Sequence, residues 1–395
     1  MRKLWLGVVL GTLGMVTACA AASAGHRGIG QLPVEKPSAV TPLVAAAARE
    51  NASTAEKQAY ELTDKLFLAR AKGSNLVFSP YCFQQILPLI RDNTKQASTR
   101  QELLPYIVPG IRVEKLRNTK TGELILLNKQ LAKDYTGSAD GDLKLVAYPD
   151  EALAAKKAFQ MQILDSVIDG AAPEGDLNFL TAAHYFAEWE TKFDKKLTQP
   201  RDFTNETGKV EKVATMQQHF TDGRGASTDA YDLAALWGKN RSVVYFIKPK
   251  KDAAAVAANL NQIVKDFEQG KNSFSNIKLQ LPKLSIKNKI DLKDLLKNDM
   301  GIKSFFTGLT FDQITGKVPY VLATASQTAT LDINEDYAEG KAITEMGFRV
   351  TAAFEPPVVH DLKMDSPYFI VIKDLADSGL RRTVFTAFVA DPAAK

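Results

Sequence analysis

The sequence predicts one large α+β domain built on mostly antiparallel sheets, and three observations predict it. Apolar residues at helical spacing concentrate before residue 170, whereas short apolar or β-branched runs dominate after it. No regular strand-helix alternation links those runs, which excludes the parallel α/β classes. Of the 395 residues, 45% are hydrophobic and 24% charged, as in an ordinary globular protein and unlike a disordered, collagen-like or multi-span membrane chain.

In chain order, residues 54–71 open the domain with a helix, since Tyr60, Leu62, Leu66 and Phe67 recur at helical spacing. Ser79-Pro80 starts a second helix over 83–90, with Pro80 in the opening turn and Pro88 expected to kink or shorten it. Thr99 and Glu102 have the spacing of a capping box and announce a third, shorter helix. Ala154, Ala158, Met161, Leu164 and Ile168 place another over 152–168. Strands are expected at 124–127, 177–185, 242–247, 277–281, 329–333, 368–372 and 383–389, each bounded by Gly, Pro, Asn or Asp. There is no solenoid repeat and no second break in composition after residue 51, so 52–395 reads as a single domain.

The first 51 residues have a different character. Arg2 and Lys3 precede an apolar stretch over 4–16, too short to span a bilayer and suited to a signal peptide. It ends in Val16-Thr17-Ala18-Cys19, which resembles a bacterial lipobox, so 1–18 reads as a lipoprotein signal peptide and Cys19 as the lipidated first residue. Ala20, not aspartate, follows it, and the expected address is the outer membrane, facing periplasm or cell surface. Residues 19–51 are rich in Ala, Gly and Pro and bury too little apolar surface to offset their ordering entropy, so they read as a membrane tether.

Charge and motifs narrow the function. Without Arg2 and Lys3, 48 basic residues face 45 acidic ones, too balanced for a nucleic-acid binder. Cys19 and Cys82 cannot make a disulfide scaffold. No G-x-S-x-G, Walker A, H-E-x-x-H or C-x-x-C occurs, and His26, His184, His219 and His360 lack metal-ligand spacing; no cofactor and no enzyme activity are expected. His184, inside an apolar run, reads as packed core, and His219 and His360 as solvated. Asp332 and Glu335 read as a solvated strand end.

Asn75-Leu76-Val77-Phe78-Ser79-Pro80, the run from Thr181 to Trp189, Leu281-Pro282-Lys283, and Phe385 with Asp391-Pro392, taken in this order, resemble the serpin family. Asn75-Leu76-Val77-Phe78-Ser79-Pro80 resembles its entry into the second helix. Thr181-Ala182-Ala183-His184-Tyr185-Phe186-Ala187-Glu188-Trp189, followed by Phe193 and Asp194, is similar to the strand that leads to the breach tryptophan. Leu281-Pro282-Lys283 with Leu292, Leu295, Met300-Gly301-Ile302 and Phe305 matches a further strand and helix, and Phe385, Ala387, Asp391 and Pro392 stand where the family closes. Thr181 replaces the usual asparagine, Cys82 a small hydroxyl residue in the shutter, and 104–177 matches poorly. Cys82 reads as a buried, inert thiol.

The resemblance implies three mostly antiparallel sheets, eight or nine helices and an exposed reactive-centre loop at about 336–362. It implies a monomeric inhibitor whose loop baits a serine or cysteine protease, is cut, and inserts as a new strand that carries the acyl-enzyme away. Glu335 stands at the hinge, followed by Tyr337, Ala338, Gly340, Lys341, Ala342 and Thr344; Tyr337 and Lys341 depart from the family's small residues. Alternation still gives an uncharged face, Ala338, Gly340, Ala342, Thr344, Met346 and Phe348, as a half-buried strand requires. Sixteen residues on from Glu335 lies Thr351, so the reactive bond reads as Thr351-Ala352, suited to elastase-like proteases, with Val350 and Arg349 as rivals, the latter for trypsin-like ones. The competing reading is a non-inhibitory lipoprotein of the same fold with a binding or structural role.

One expectation is testable from the leader alone. Cys19→Ser should move the protein from membranes to the soluble fraction and abolish acyl labelling; a variant that keeps an acyl chain would refute the lipobox reading.

Overall fold

The strongest apolar runs of the chain become strands buried on both faces, and they lie in the middle of the molecule. The computed structural model describes residues 61–62, 74–336 and 358–394, all within the unit Ala47–Lys395. Its strands are β1 (Leu76–Phe78), β2 (Thr119–Asn128), β3 (Leu143–Val146), β4 (Leu177–Tyr185), β5 (Gln199–Thr204), β6 (Val210–Ser227), β7 (Tyr231–Gly238), β8 (Ser242–Pro249), β9 (Ser273–Pro282), β10 (Leu284–Asp291), β11 (Leu309–Thr310), β12 (Pro319–Tyr320), β13 (Ser326–Ile333), β14 (His360–Lys363), β15 (Tyr368–Leu375) and β16 (Arg381–Val389). The α-helices are α1 (Pro80–Asp92), α2 (Ala97–Leu103), α3 (Asp150–Leu164), α4 (Ala253–Ala257), α5 (Leu260–Glu268) and α6 (Ser304–Thr307); Glu61 and Leu62 are also helical.

Nine strands form the large sheet, in the order β1-β16-β15-β8-β7-β6-β9-β14 with β5 also on β6. In β8, Val243, Tyr245 and Ile247 enter one core cluster, Val244 and Phe246 the cluster on the opposite face. β15 divides in the same way, with Phe369 and Val371 against Tyr368, Ile370 and Ile372. Such strands read as unbroken apolar runs, which is why 242–247, 368–372 and 383–389 stand out in the sequence. β5, most of β6 and β10 have one solvated face and a weaker signal, and sequence reasoning passed over them.

The remaining strands form a β3-β2-β4 sheet, a β10-β13 pair and a small β11-β12 pair. α3 covers the first of these, packing Phe159 and Ile163 with Leu124, Leu126 and Ala182. α3 ends at Leu164 rather than at Ile168, because Gln160 Oε1 accepts the backbone N–H groups of Ile168 and Asp169 and turns the chain back. α1 continues past Pro88 to Asp92, so the proline does not shorten it. Residues 104–177, where the family resemblance is poorest, contribute β2, β3, α3 and short 3₁₀ turns.

The capping box does not form. α2 begins at Ala97 with Gln96 at its cap, and Thr99 lies fully buried with no hydrogen-bond partner for its Oγ1 among the described residues. Glu102 reaches another element, where Oε2 accepts from the backbone N–H and the hydroxyl of Ser304 at 3.0 and 2.7 Å. The two readings predict opposite signs. A capping threonine would cost stability when replaced, whereas a buried unpartnered hydroxyl costs stability while present, so Thr99→Val should stabilise by about 1 kcal/mol. Urea unfolding of the variant checks this, and a loss of stability would restore the cap.

Candidate functional site

β4 and β13 are neighbours that do not bond to one another. Among the described residues β4 pairs only with β2 and β13 only with β10, so each has one free edge. Both run the same way. Past their ends Trp189 Nε1 donates to the carbonyl of Asn334 at 2.9 Å, and ahead of their starts a β-carbon on Gly175 would lie 3.7 Å from that of Ala323. Between them runs a cleft of about 1210 Å³, lined by both strands and floored by α1. Any segment that turns back after β13 and enters the cleft is antiparallel to both walls, with ladder positions open on either side.

The floor is tied to both walls by a single helical turn. Ser79, the α1 N-cap, donates its N–H to Gln327 Oε1 on β13 at 2.6 Å, and its carbonyl accepts from Gln327 Nε2 at 3.0 Å. Its hydroxyl accepts from the Cys82 N–H and donates to the Val384 carbonyl in β16 at 2.7 Å. Three residues on, Cys82 Sγ lies 3.4 Å from the carbonyl of Thr181 on β4, whose hydroxyl donates to the Cys82 carbonyl at 3.0 Å. Cys82 is therefore half-buried against a polar strand edge rather than in an apolar pocket. Burial pushes its thiol up to about 11 despite the Thr181 bond, so it stays protonated and unreactive at neutral pH.

The end of β13 is fixed by polar contacts. Glu335 is 5% exposed, not a solvated turn residue; Oε1 accepts from the Thr198 hydroxyl and Oε2 faces Lys283 Nζ, both at 2.8 Å. Burial pushes its carboxyl up, but Lys283 and Thr198 outweigh that and hold it below its ordinary value of 4.5. Asp336 pairs with Lys195 and donates its N–H to Asn334 Oδ1. Trp189 is 7% exposed and packs edge-on to Phe193, which packs edge-on to Phe220.

Ser79, Cys82 and Trp189 thus converge on the cleft, and Glu335 stands at its head. Tyr337, Ala338, Gly340, Ala342, Thr344, Arg349, Val350, Thr351, Ala352 and Cys19 lie outside the described residues. β14 begins at His360, inside the loop bounds expected from sequence. His184 is half-buried beside Asp165 at 3.5 Å rather than packed in the core. His360 stacks on Phe274 with 3.9 Å between centroids, and His219 Nε2 meets Asn276 Oδ1 at 2.6 Å, so neither ring is merely solvated. Gln327 and Thr198 were missed. Gln327 was legible in principle, because it shares the buried parity of Ala329, Leu331 and Ile333, and a buried amide requires partners.

A family model described as Serpin (serine protease inhibitor) matches residues 154–392. The chain belongs to the serpin family. It is 28% identical to Serpin A3-3 of Bos taurus over 197 residues, which is 48% of this chain and 46% of that one. With Alaserpin of Manduca sexta it shares 26% identity over 287 residues, 67% of this chain and 72% of the relative. The chain spans about half the length of the first-ranked curated relatives it matches. Native protease nexin-1 in a complex with heparin has the same fold, with a TM-score of 0.71 at 16% identity, covering 87% of this chain and all of that one. Human thyroxine-binding globulin, complexed with thyroxine, superposes with a TM-score of 0.70 at 18% identity over 88% of this chain.

The Glu335–Lys283 ion pair has a pH signature. Because Glu335 is held below its ordinary value, its stabilisation is complete above about pH 4.5 and is lost as pH falls through the depressed folded value. Lys283→Met leaves burial dominant and raises the carboxyl, a penalty that is largest at neutral pH and shrinks on acidification. The difference in melting temperature between wild type and variant should therefore narrow between about pH 7 and about pH 4. A constant difference would show that Lys283 does not govern Glu335.

Proposed function

We propose that this serpin is a suicide-substrate inhibitor that traps serine proteases, with cysteine proteases as the second class to test. The observation that carries the proposal is the pair of unbonded edges of β4 and β13, with a cleft of about 1210 Å³ lined by both strands. The segment 337–357 joins β13 to β14 and is the bait. The protease's nucleophilic oxygen attacks the Thr351 carbonyl, the bond to the Ala352 nitrogen breaks, and that nitrogen leaves with a proton as the new amino terminus. Thr351 is left as an ester on the protease.

Insertion then competes with hydrolysis of that ester. Residues 337–351 have an extended length of about 50 Å at roughly 3.3 Å per residue, enough to traverse the cleft and carry the ester to its far end. The face formed by Ala338, Gly340, Ala342, Thr344, Met346 and Phe348 meets the core, since alternate side chains of a strand share one face. Ladder bonds along two edges, at about 0.5–1.5 kcal/mol net each, supply on the order of 10 kcal/mol. Small residues around Thr351 fit elastase-like pockets, and Arg349 offers a trypsin-like alternative. The same reading places the inhibitor on the bacterial outer membrane through a lipid on Cys19.

Mixed with elastase-like and trypsin-like proteases, the wild type should give a covalent adduct that survives denaturation, and a released fragment beginning at Ala352. Ala338→Arg forces an unpaired charge into the sheet, so this variant should be cut as a substrate, with a stoichiometry of inhibition raised roughly ten-fold. Cleavage without adduct across the panel would instead support the non-inhibitory reading, with Tyr337 and Lys341 as the obstacle. Unchanged stoichiometry in Ala338→Arg would remove the insertion model.

A further inference from the structure

The segment 337–357 has two roots, and the second is held by a residue that no motif singles out. The first root is the Glu335 cluster described above. The second is Val358, whose side chain contributes little because the residue is 72% exposed. Its carbonyl accepts from Asn276 Nδ2 at 2.8 Å.

Two local departures from regular structure meet at Asn276. It lies within β9, where the ladder to β6 slips: Ser275 pairs with Arg224 and Ile277 with Phe220, so three β6 residues bulge opposite this one. Asn276 itself is left-handed, with φ 64°, unusual for a strand residue with a side chain and tolerated best by asparagine and aspartate. Its side chain is 5% exposed and bonded at both ends. Bulges of this kind re-aim side chains, and this one turns an amide to the point where the chain enters β14. β14 starts beside it, His360 pairing in parallel with Ile277 and stacking on Phe274.

The amide's orientation follows from its partners. A carbonyl can only accept, so Nδ2 must face Val358 and Oδ1 must face His219. His219 therefore donates from Nε2 at 2.6 Å and holds the amide from flipping.

We propose that Asn276, oriented by His219, is a positioning residue that anchors the carboxy-terminal root of the reactive loop through the carbonyl of Val358. The inference rests on the inhibitor reading for its purpose, because bait presented between two fixed ends loses less conformational entropy on docking into a protease. The anchor itself is independent of that reading. When the loop is cut, the amino-terminal part is freed from this root and the carboxy-terminal part remains attached to it.

Hydrogen exchange of the full chain tests the anchor without reference to inhibition. Asn276→Gly keeps the left-handed backbone and removes the amide; Asn276→Asp keeps shape and backbone but puts an acceptor against the Val358 carbonyl. Both should exchange amides of 358–363 roughly ten-fold faster than wild type, the scale of one lost hydrogen bond. His219→Gln, which keeps a donor, should retain protection that His219→Leu loses. With a protease that forms the adduct, both Asn276 variants should associate several-fold more slowly while still trapping it. Unchanged exchange at 358–363 in both variants would overturn the anchor, and faster exchange with an unchanged association rate would overturn its positioning role. If the wild type forms no adduct with any protease, the inhibitor reading falls, and exchange alone decides the anchor.

Discussion

Two strands lie side by side and do not bond, and the rest of this fold is arranged around that constraint. An unpaired edge inside a sheet leaves backbone donors and acceptors without partners, a state that soluble proteins manage with charges, covers or irregularity. Here the edges of β4 and β13 face each other across a cleft instead. The separation is maintained by a turn of helix: Ser79 grips β13 through Gln327, and Cys82 grips β4 through Thr181.

Above the cleft, the polar contacts are concentrated where the chain leaves and re-enters the sheets. Trp189 holds the carbonyl of Asn334, Lys283 and Thr198 hold Glu335, and Asn276 holds Val358. Trp189, Thr198, Glu335 and Asn276 are buried or half-buried, and the bonds of each run to a different element. Each is also directional, so the carbonyls of Asn334 and Val358 and the carboxylate of Glu335 are held in defined orientations. Apolar packing would have given comparable affinity with less control of direction.

Much of this was legible in the sequence. Strands buried on both faces produce unbroken apolar runs, and β8, β15 and β16 were found for that reason. β5 buries only Phe203, β10 alternates with charged residues and so has no apolar run, and the long β6 is interrupted by its bulge. Ser79, Cys82, Trp189 and Glu335 were reached through their motifs, yet Glu335 read by itself was a solvated carboxylate. Its burial depends on Lys283 and Thr198, which lie 52 and 137 residues away. Thr99 and Glu102 show the converse: a pattern correct in spacing failed because Ser304, 202 residues away, took the carboxylate.

The sequence by itself determined the fold class, the membership of the serpin family and the uncharged face of the segment after Glu335. All three rest on local order and periodicity, which survive without knowledge of contacts. Tertiary structure alone decided that β4 and β13 stand apart, that one turn of α1 joins them, and that Asn276 and His219 hold the far root. Those features depend on which distant groups share a small volume, and a hydrogen bond between residues far apart in the chain leaves no trace in the spacing of either.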